Sequence, residues 1–172
     1  MRAAVLSCVA VLAVSTAVLL ADDHSVIFDE EVDFSRFMTF TMSDARIDSA
    51  RPELSFPLVV KTLSNTVRGA FVTKGLKDTS DRPELLIECS VKGVDYSIGP
   101  FGRPNAIMPG QARGGRSMQV DFTDATIVID VDPPALIWRG VYHDTENDAR
   151  KLAKALPKDA TRLLAEYPPK KK

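Results

Sequence analysis

Leu85-Leu86-Ile87-Glu88-Cys89-Ser90-Val91-Lys92 decides the architecture, because its side chains alternate with period two. Leu85, Ile87, Cys89 and Val91 share one face, and Glu88, Ser90 and Lys92 share the other. Successive side chains of an extended strand point to opposite faces, so this segment reads as an antiparallel strand with one dry and one wet side. Cys89 on the dry side reads as a small hydrophobe with a structural role in a half-buried sheet.

Upstream the period changes. Val60, Leu63, Val67, Ala70 and Phe71 recur at three- and four-residue spacing, which predicts a helix with one buried stripe ending at Gly75. Ser55 is its expected cap, with Phe56 and Pro57 in the first turn, where proline's missing amide is harmless. Before it, Val26, Phe28, Phe37, Phe40 and Met42 lie in short strand-like segments around a turn at Asp33-Phe34-Ser35-Arg36. Asp44 to Pro52 reads as a polar connection.

Downstream, Met118, Val120 and Phe122 alternate, and Ala125, Ile127, Ile129 and Val131 continue on one face after a shift at Thr123-Asp124. Asp132-Pro133-Pro134 turns the chain into a strand from Leu136 to Tyr142. Leu136, Trp138 and Tyr142 are expected on one side of it, and Ile137, Arg139 and Val141 on the other. Trp138 reads as a structural core residue. Arg139 is placed to pair with Asp130 or Asp132 across the hairpin, and Gly140 to permit a bulge or a close backbone approach. A last helix spans roughly 148–167 with a stripe of Leu152, Leu156, Ala160, Leu163, Leu164 and Tyr167. Pro157 interrupts it and Pro168-Pro169 stops it.

Strands, helix, three longer strands and helix indicate an α+β fold. It is a two-layer sandwich, a largely antiparallel sheet with two helices on one face. No helix follows each strand, which argues against a doubly wound dinucleotide fold.

The N-terminus sets the compartment. Arg2 precedes an uncharged run from Ala3 to Leu20, and acid returns at Asp22-Asp23, the layout of a secretory signal cut after Ala21. The expected organisation is a signal peptide over 1–21, one domain over 22–169 and a basic tail over 170–172. Periplasmic export follows, the alternative being a membrane anchor through the uncleaved segment or a lipid. Val5-Leu6-Ser7-Cys8 looks locally like a lipidation site but lies too early, since almost no apolar run precedes it. The whole chain has 22 basic and 23 acidic residues, which gives no general attraction to nucleic acid or an anionic membrane. After the signal only Cys89 remains of two cysteines, which excludes an intramolecular disulfide. No internal segment is apolar enough for a further span.

Several segments together resemble the DUF4136 family of bacterial envelope proteins, many of them lipoproteins. They are Asp33-Phe34-Ser35-Arg36-Phe37-Met38-Thr39-Phe40, Phe71-Val72-Thr73-Lys74-Gly75-Leu76 and Asp81-Arg82-Pro83-Glu84-Leu85-Leu86-Ile87. Thr126-Ile127-Val128-Ile129-Asp130-Val131, Leu136-Ile137-Trp138-Arg139-Gly140 and Leu164-Ala165-Glu166-Tyr167-Pro168-Pro169 follow in the family's order. The turn Asp132-Pro133-Pro134-Ala135 is more compact than the Gly-containing loop common there, and the lipidation site is missing. The resemblance implies the fold and an envelope location. It transfers no catalytic or ligand-binding residue.

Chemistry finds little footing. His24 is expected in the stub left after cleavage, and His143, beside Asp144, reads as a surface or capping residue without zinc-ligand spacing around it. A Cys–His dyad would need Cys89 to leave the core face. Asp121, Asp124, Asp130 and Asp132 are spread along strands rather than gathered in a calcium loop. No catalytic residue, metal ligand or cofactor is assigned. The glycine- and proline-rich stretch from Gly99 to Gly115 is the better candidate, although it has no phosphate-loop pattern. Arg103, Arg113 and Arg116 offer forked donors, and Phe101, Ile107 and Met108 apolar contact, to a protein partner in the envelope. The expected function is a non-enzymatic envelope binding or assembly protein. The alternative is a small periplasmic hydrolase or metal-dependent enzyme.

Overall fold

The computed structural model describes residues 24–98, 120–132 and 135–168. In chain order the elements are β1 (His24–Phe28), a 3-10 turn (Phe34–Arg36), β2 (Thr39–Met42), β3 (Arg46–Ser49), α1 (Pro52–Ser55) and α2 (Pro57–Thr73). They continue with β4 (Lys77–Asp78), β5 (Leu85–Ile98), β6 (Val120–Asp132), β7 (Trp138–Glu146) and α3 (Ala149–Leu164). Seven strands form one sheet in the order β1-β7-β6-β5-β2-β4, with β3 also on β5. The pairs β1–β7, β7–β6 and β6–β5 are antiparallel, whereas β2 and β3 run parallel to β5 on its other edge. The fold is α+β, with a mixed, mostly antiparallel sheet and helices packed against it.

The alternation in β5 sorts the two faces. Leu85, Ile87, Cys89 and Val91 are buried together with Ala125, Ile127, Ile129 and Val131 of β6. Leu63, Val67 and Phe71 of α2 and Leu152, Leu156, Leu163 and Leu164 of α3 complete this core. Tyr167, just after α3, meets the rings of Phe34, Phe71 and Trp138 at centroid distances of 5.7, 5.0 and 5.6 Å. Burying large rings this way is the main stabilisation open to a domain without a disulfide.

Gly140 sits where this packing is tightest. A Cβ there would lie 2.5 Å from Cη2 of Trp138 and 2.7 Å from Cγ of Leu163, so only glycine lets α3 approach β7. Gly75, at φ +94°, ends α2 in the left-handed region, and the Leu76 amide donates back to the Phe71 carbonyl at 3.2 Å.

Several local expectations change. His24 lies in β1 and its Nε2 is 2.6 Å from Oε1 of Glu166, because an edge strand can be held by backbone pairing with little apolar content. Arg46–Ser49, read as part of a connection, is a parallel strand on β5. Ser55 closes the short α1 instead of capping α2, whose N-cap is Phe56 without a side-chain bond. Leu136 is exposed and Ile137 buried, since the strand begins only at Trp138. Pro157 lies inside α3, in which Asp148 serves as N-cap by accepting from the Arg150 amide at 2.9 Å. There is no shift at Thr123-Asp124. Thr123 is buried with Ala125, and Phe122 belongs to the opposite, outer face.

Candidate functional site

Among the described residues the helices cover one sheet face only, leaving the outer face open. Strand parity puts Leu86, Glu88, Ser90, Lys92, Val94 and Tyr96 of β5 on it, beside Phe122, Asp124, Thr126, Val128, Asp130 and Asp132 of β6. Most of this surface is paired polar chemistry. Arg139 donates from Nε and Nη2 to the two oxygens of Asp130, both at 2.7 Å, a forked pair that resolves the choice between Asp130 and Asp132. Thr145 donates to Asp124, and Thr126 Oγ1 lies 2.9 Å from Nδ1 of His143. Burial, then Asp130 and Glu88, raise the carboxyl of Asp132 above its usual range.

At one end the sheet narrows to a ribbon. The last pair of β3 with β5 is Ser49 with Gly93, and the last of β7 with β6 is Glu146 with Thr123. Val94 and Asp95 still pair with Asp124 and Thr123, which β7 flanks, and only residues 96–98 and 120–122 pair with each other alone among the described residues. Val94 is 49% exposed, and the rings of Tyr96 and Phe122 stack at 5.6 Å and 17° on the same outer face. The opposite ribbon face is polar. Thr123 donates to Asp95 at 2.8 Å, Arg51 Nε reaches Asp95 at 2.9 Å, and Ser97 donates to Asp121 at 2.7 Å. Bonding to Arg51, and then to Thr123, holds the Asp95 carboxyl below its usual range against some desolvation.

Val94 and Tyr96 were not among the sequence candidates. Their signal was present, since they are apolar residues continuing the wet parity after Lys92. Phe101, Arg103, Ile107, Met108, Arg113 and Arg116 belong to the connection between β5 and β6 and lie outside the described residues. Cys89 is 3% exposed, and burial pushes its thiol up to about 12. Trp138 is fully buried.

Strand parity also separates the groups of any enzyme-like set. Cys89 is on the core face and His143 on the outer face, so the two cannot form a dyad. Asp144, next to His143, points to the helix side by the same alternation, so that pair does not converge either. Among the described residues no three His, Cys, Asp or Glu side chains gather in metal-ligand geometry. Beneath α3, Arg162 donates to the Tyr142 hydroxyl at 3.1 Å, and Tyr142 bonds to Asp159. Asp159 is 3% exposed, and its Oδ2 has no hydrogen-bond partner among the described residues. Burial first, and then Asp144, raise its carboxyl to about 6 against the opposing pull of Arg162 and Tyr142.

The family profile described as "Domain of unknown function (DUF4136)" matches residues 25–169. None of the curated proteins compared matches the chain. Among solved structures, the chain is similar to a PDZ domain protein from Parabacteroides distasonis at 16% identity and a TM-score of 0.53. That likeness covers 87% of this chain and 36% of the other, so the chain spans about a third of that protein's length. It is also similar to a DUF4136 family protein from Bacteroides thetaiotaomicron, with 13% identity and a TM-score of 0.49, over 84% of this chain and 95% of that one. At these identities the PDZ domain protein speaks for the fold alone. No helix among the described residues is long and apolar enough to cross a membrane.

Proposed function

The chain belongs to the DUF4136 family of bacterial envelope proteins, and from that premise we propose that it is a non-enzymatic binding or assembly protein of the periplasm. The observation that carries the reading is the β5–β6 ribbon. An isolated two-stranded hairpin is marginal in water, so exposed apolar groups on one gain from being covered. Exposed Val94 and the half-buried Tyr96–Phe122 stack form such a patch, beyond β3 on the β5 side, and the stack lies beyond β7 as well. The connection that leaves this ribbon contains Phe101, Arg103, Ile107, Met108, Arg113 and Arg116. Aromatic and arginine side chains are the residue types that dominate protein interfaces. Ribbon and connection together form the partner-binding element, with another envelope protein as partner. Release into the periplasm requires cleavage after residue 21, and intact-mass measurement of the fractionated protein checks it. A mass retaining residues 1–21 means anchoring instead, and a diacylglyceryl adduct means lipidation.

The test is affinity capture from envelope extract by wild type, by Arg103→Ala/Arg113→Ala/Arg116→Ala and by Tyr96→Ser/Phe122→Ser. Both variants are expected to keep the fold, because the core is built on the opposite sheet face. The reading requires a partner captured by wild type and reduced at least fivefold in both variants. Undiminished capture of the same partner by both variants refutes the ribbon as its site.

A further inference from the structure

The near-neutral charge of the whole chain conceals a segregation between layers. The three helices carry seven basic residues and two acidic ones, Glu53 and Asp159. Asp159 is buried, whereas Arg150, Lys151, Lys154, Lys158 and Arg162 are all exposed. The first four of these make no ion pair with any described residue. Arg150 lies in the first turn of α3, which contains no acid, so its charge opposes the helix dipole and stability does not account for it.

The same cations border an apolar groove. Pro52, Phe56, Val59 and Ala153 line a cavity of about 480 Å³ between α1, the start of α2 and α3, together with two cations, Arg150 and Lys154, and one carboxylate, Glu53. Phe56 is 59% exposed, and Leu58, two residues on, is 64% exposed. Protruding apolar side chains beside unpaired cations form the combination that adheres to an anionic bilayer. The cations meet headgroup phosphates, and the apolar groups enter the acyl boundary. A free phosphate would use the cations and leave Phe56 and Leu58 in water. An acidic polypeptide would leave the apolar floor uncovered.

From these observations we infer that the α1–α2–α3 groove docks the protein peripherally on an anionic phospholipid surface, with Arg150 and Lys154 on the headgroups and Phe56 and Leu58 in the interface. The groove lies on the helix side of the sheet, opposite the outer face, and the inference stands or falls independently of the partner-binding reading above.

Vesicle flotation of the full chain tests it, with phosphatidylglycerol-containing and pure phosphatidylcholine vesicles compared at low salt. The N-terminal apolar run is common to every variant, and phosphatidylcholine vesicles measure what it contributes. Binding beyond that baseline is expected on phosphatidylglycerol and should fall away at 0.5 M salt, roughly. Arg150→Glu/Lys154→Glu should weaken it by at least about 30-fold. The same change should leave thermal stability unchanged or raised, because glutamate in the first turn of α3 favours the helix dipole. Phe56→Ser should weaken binding while preserving its salt dependence. Equal flotation on both vesicle types, or an Arg150→Glu/Lys154→Glu variant that binds as wild type does, overturns the inference. So does binding of soluble polyglutamate with no preference for phosphatidylglycerol, which would identify an acidic polypeptide as the occupant.

Discussion

Replacing Asp159 by asparagine separates the two electrostatic effects that compete beneath α3. Arg162 Nη1 is 3.8 Å from Oδ1 of Asp159, a distance too long for a good hydrogen bond, and the guanidinium is half exposed. Burial therefore wins, and the folded carboxyl titrates near 6 instead of 3.8. A carboxyl whose folded pKa is raised keeps its proton longer in the folded state than in the unfolded chain. Between the two values the folded state binds more protons, so stability falls as pH rises through that window. At about 1.4 kcal/mol per pH unit, a shift of this size corresponds to roughly 3 kcal/mol lost between pH 4 and pH 7. Asparagine retains an acceptor for Tyr142 and does not titrate. The other carboxylates are common to both proteins, so the difference between them isolates this group. Urea unfolding of wild type and Asp159→Asn at intervals from pH 4 to pH 7.5 should show the variant gaining about 2–3 kcal/mol on wild type across that range. A flat difference refutes the burial account. A gain by wild type would mean that the Arg162 pair dominates.

Gly140→Ala should cost about 1–3 kcal/mol, because its Cβ would overlap the Trp138 ring and Leu163, and a thermal melt measures the loss. Tyr167→Phe should be neutral or slightly stabilising. It removes a buried hydroxyl that has no hydrogen-bond partner among the described residues and keeps the ring contacts. The same melt checks it, and a loss comparable with that of Gly140→Ala would show that the hydroxyl is bonded. Cys89, with its thiol pushed up to about 12, should resist thiol reagents at pH 8 until the protein unfolds. Peptide mapping that found Cys89 modified in the native protein would contradict its burial.

The parts of the fold legible in the sequence are those whose period is set by a large buried face. The stripe of Leu63, Val67 and Phe71 and the alternation of Leu85, Ile87, Cys89 and Val91 each report one-sided burial, and both elements form. Asp33 likewise announces its turn, accepting from the Ser35 amide at 3.2 Å. The strand that escaped packs little, since β3 offers only Ile47 to the interior and has no periodic signal. Parallel pairing of β2 and β3 with β5 depends on residues some 44 positions apart, and nothing local encodes it. Phe122 was joined to the face of Ala125 and Ile127 by a shift at Thr123-Asp124 that the unbroken β5–β6 register does not contain. Its strand parity puts it with Tyr96 instead, and that stack is the part of the site that alternation beyond Lys92 would have shown. The charge segregation between layers was hidden for a different reason. Summed charge carries no geometry, and the cations gather only once α3 lies against the sheet.

In-cell photo-crosslinking from Val94 and Arg113 asks whether the ribbon and its connection touch a partner where the protein works. A photoreactive amino acid at either position should give a discrete adduct with an envelope protein. The same probe at Asn65, on the exposed side of α2, should not give that adduct. Adducts of equal yield from all three positions, or none from Val94 and Arg113 while the protein is folded and exported, would contradict the account.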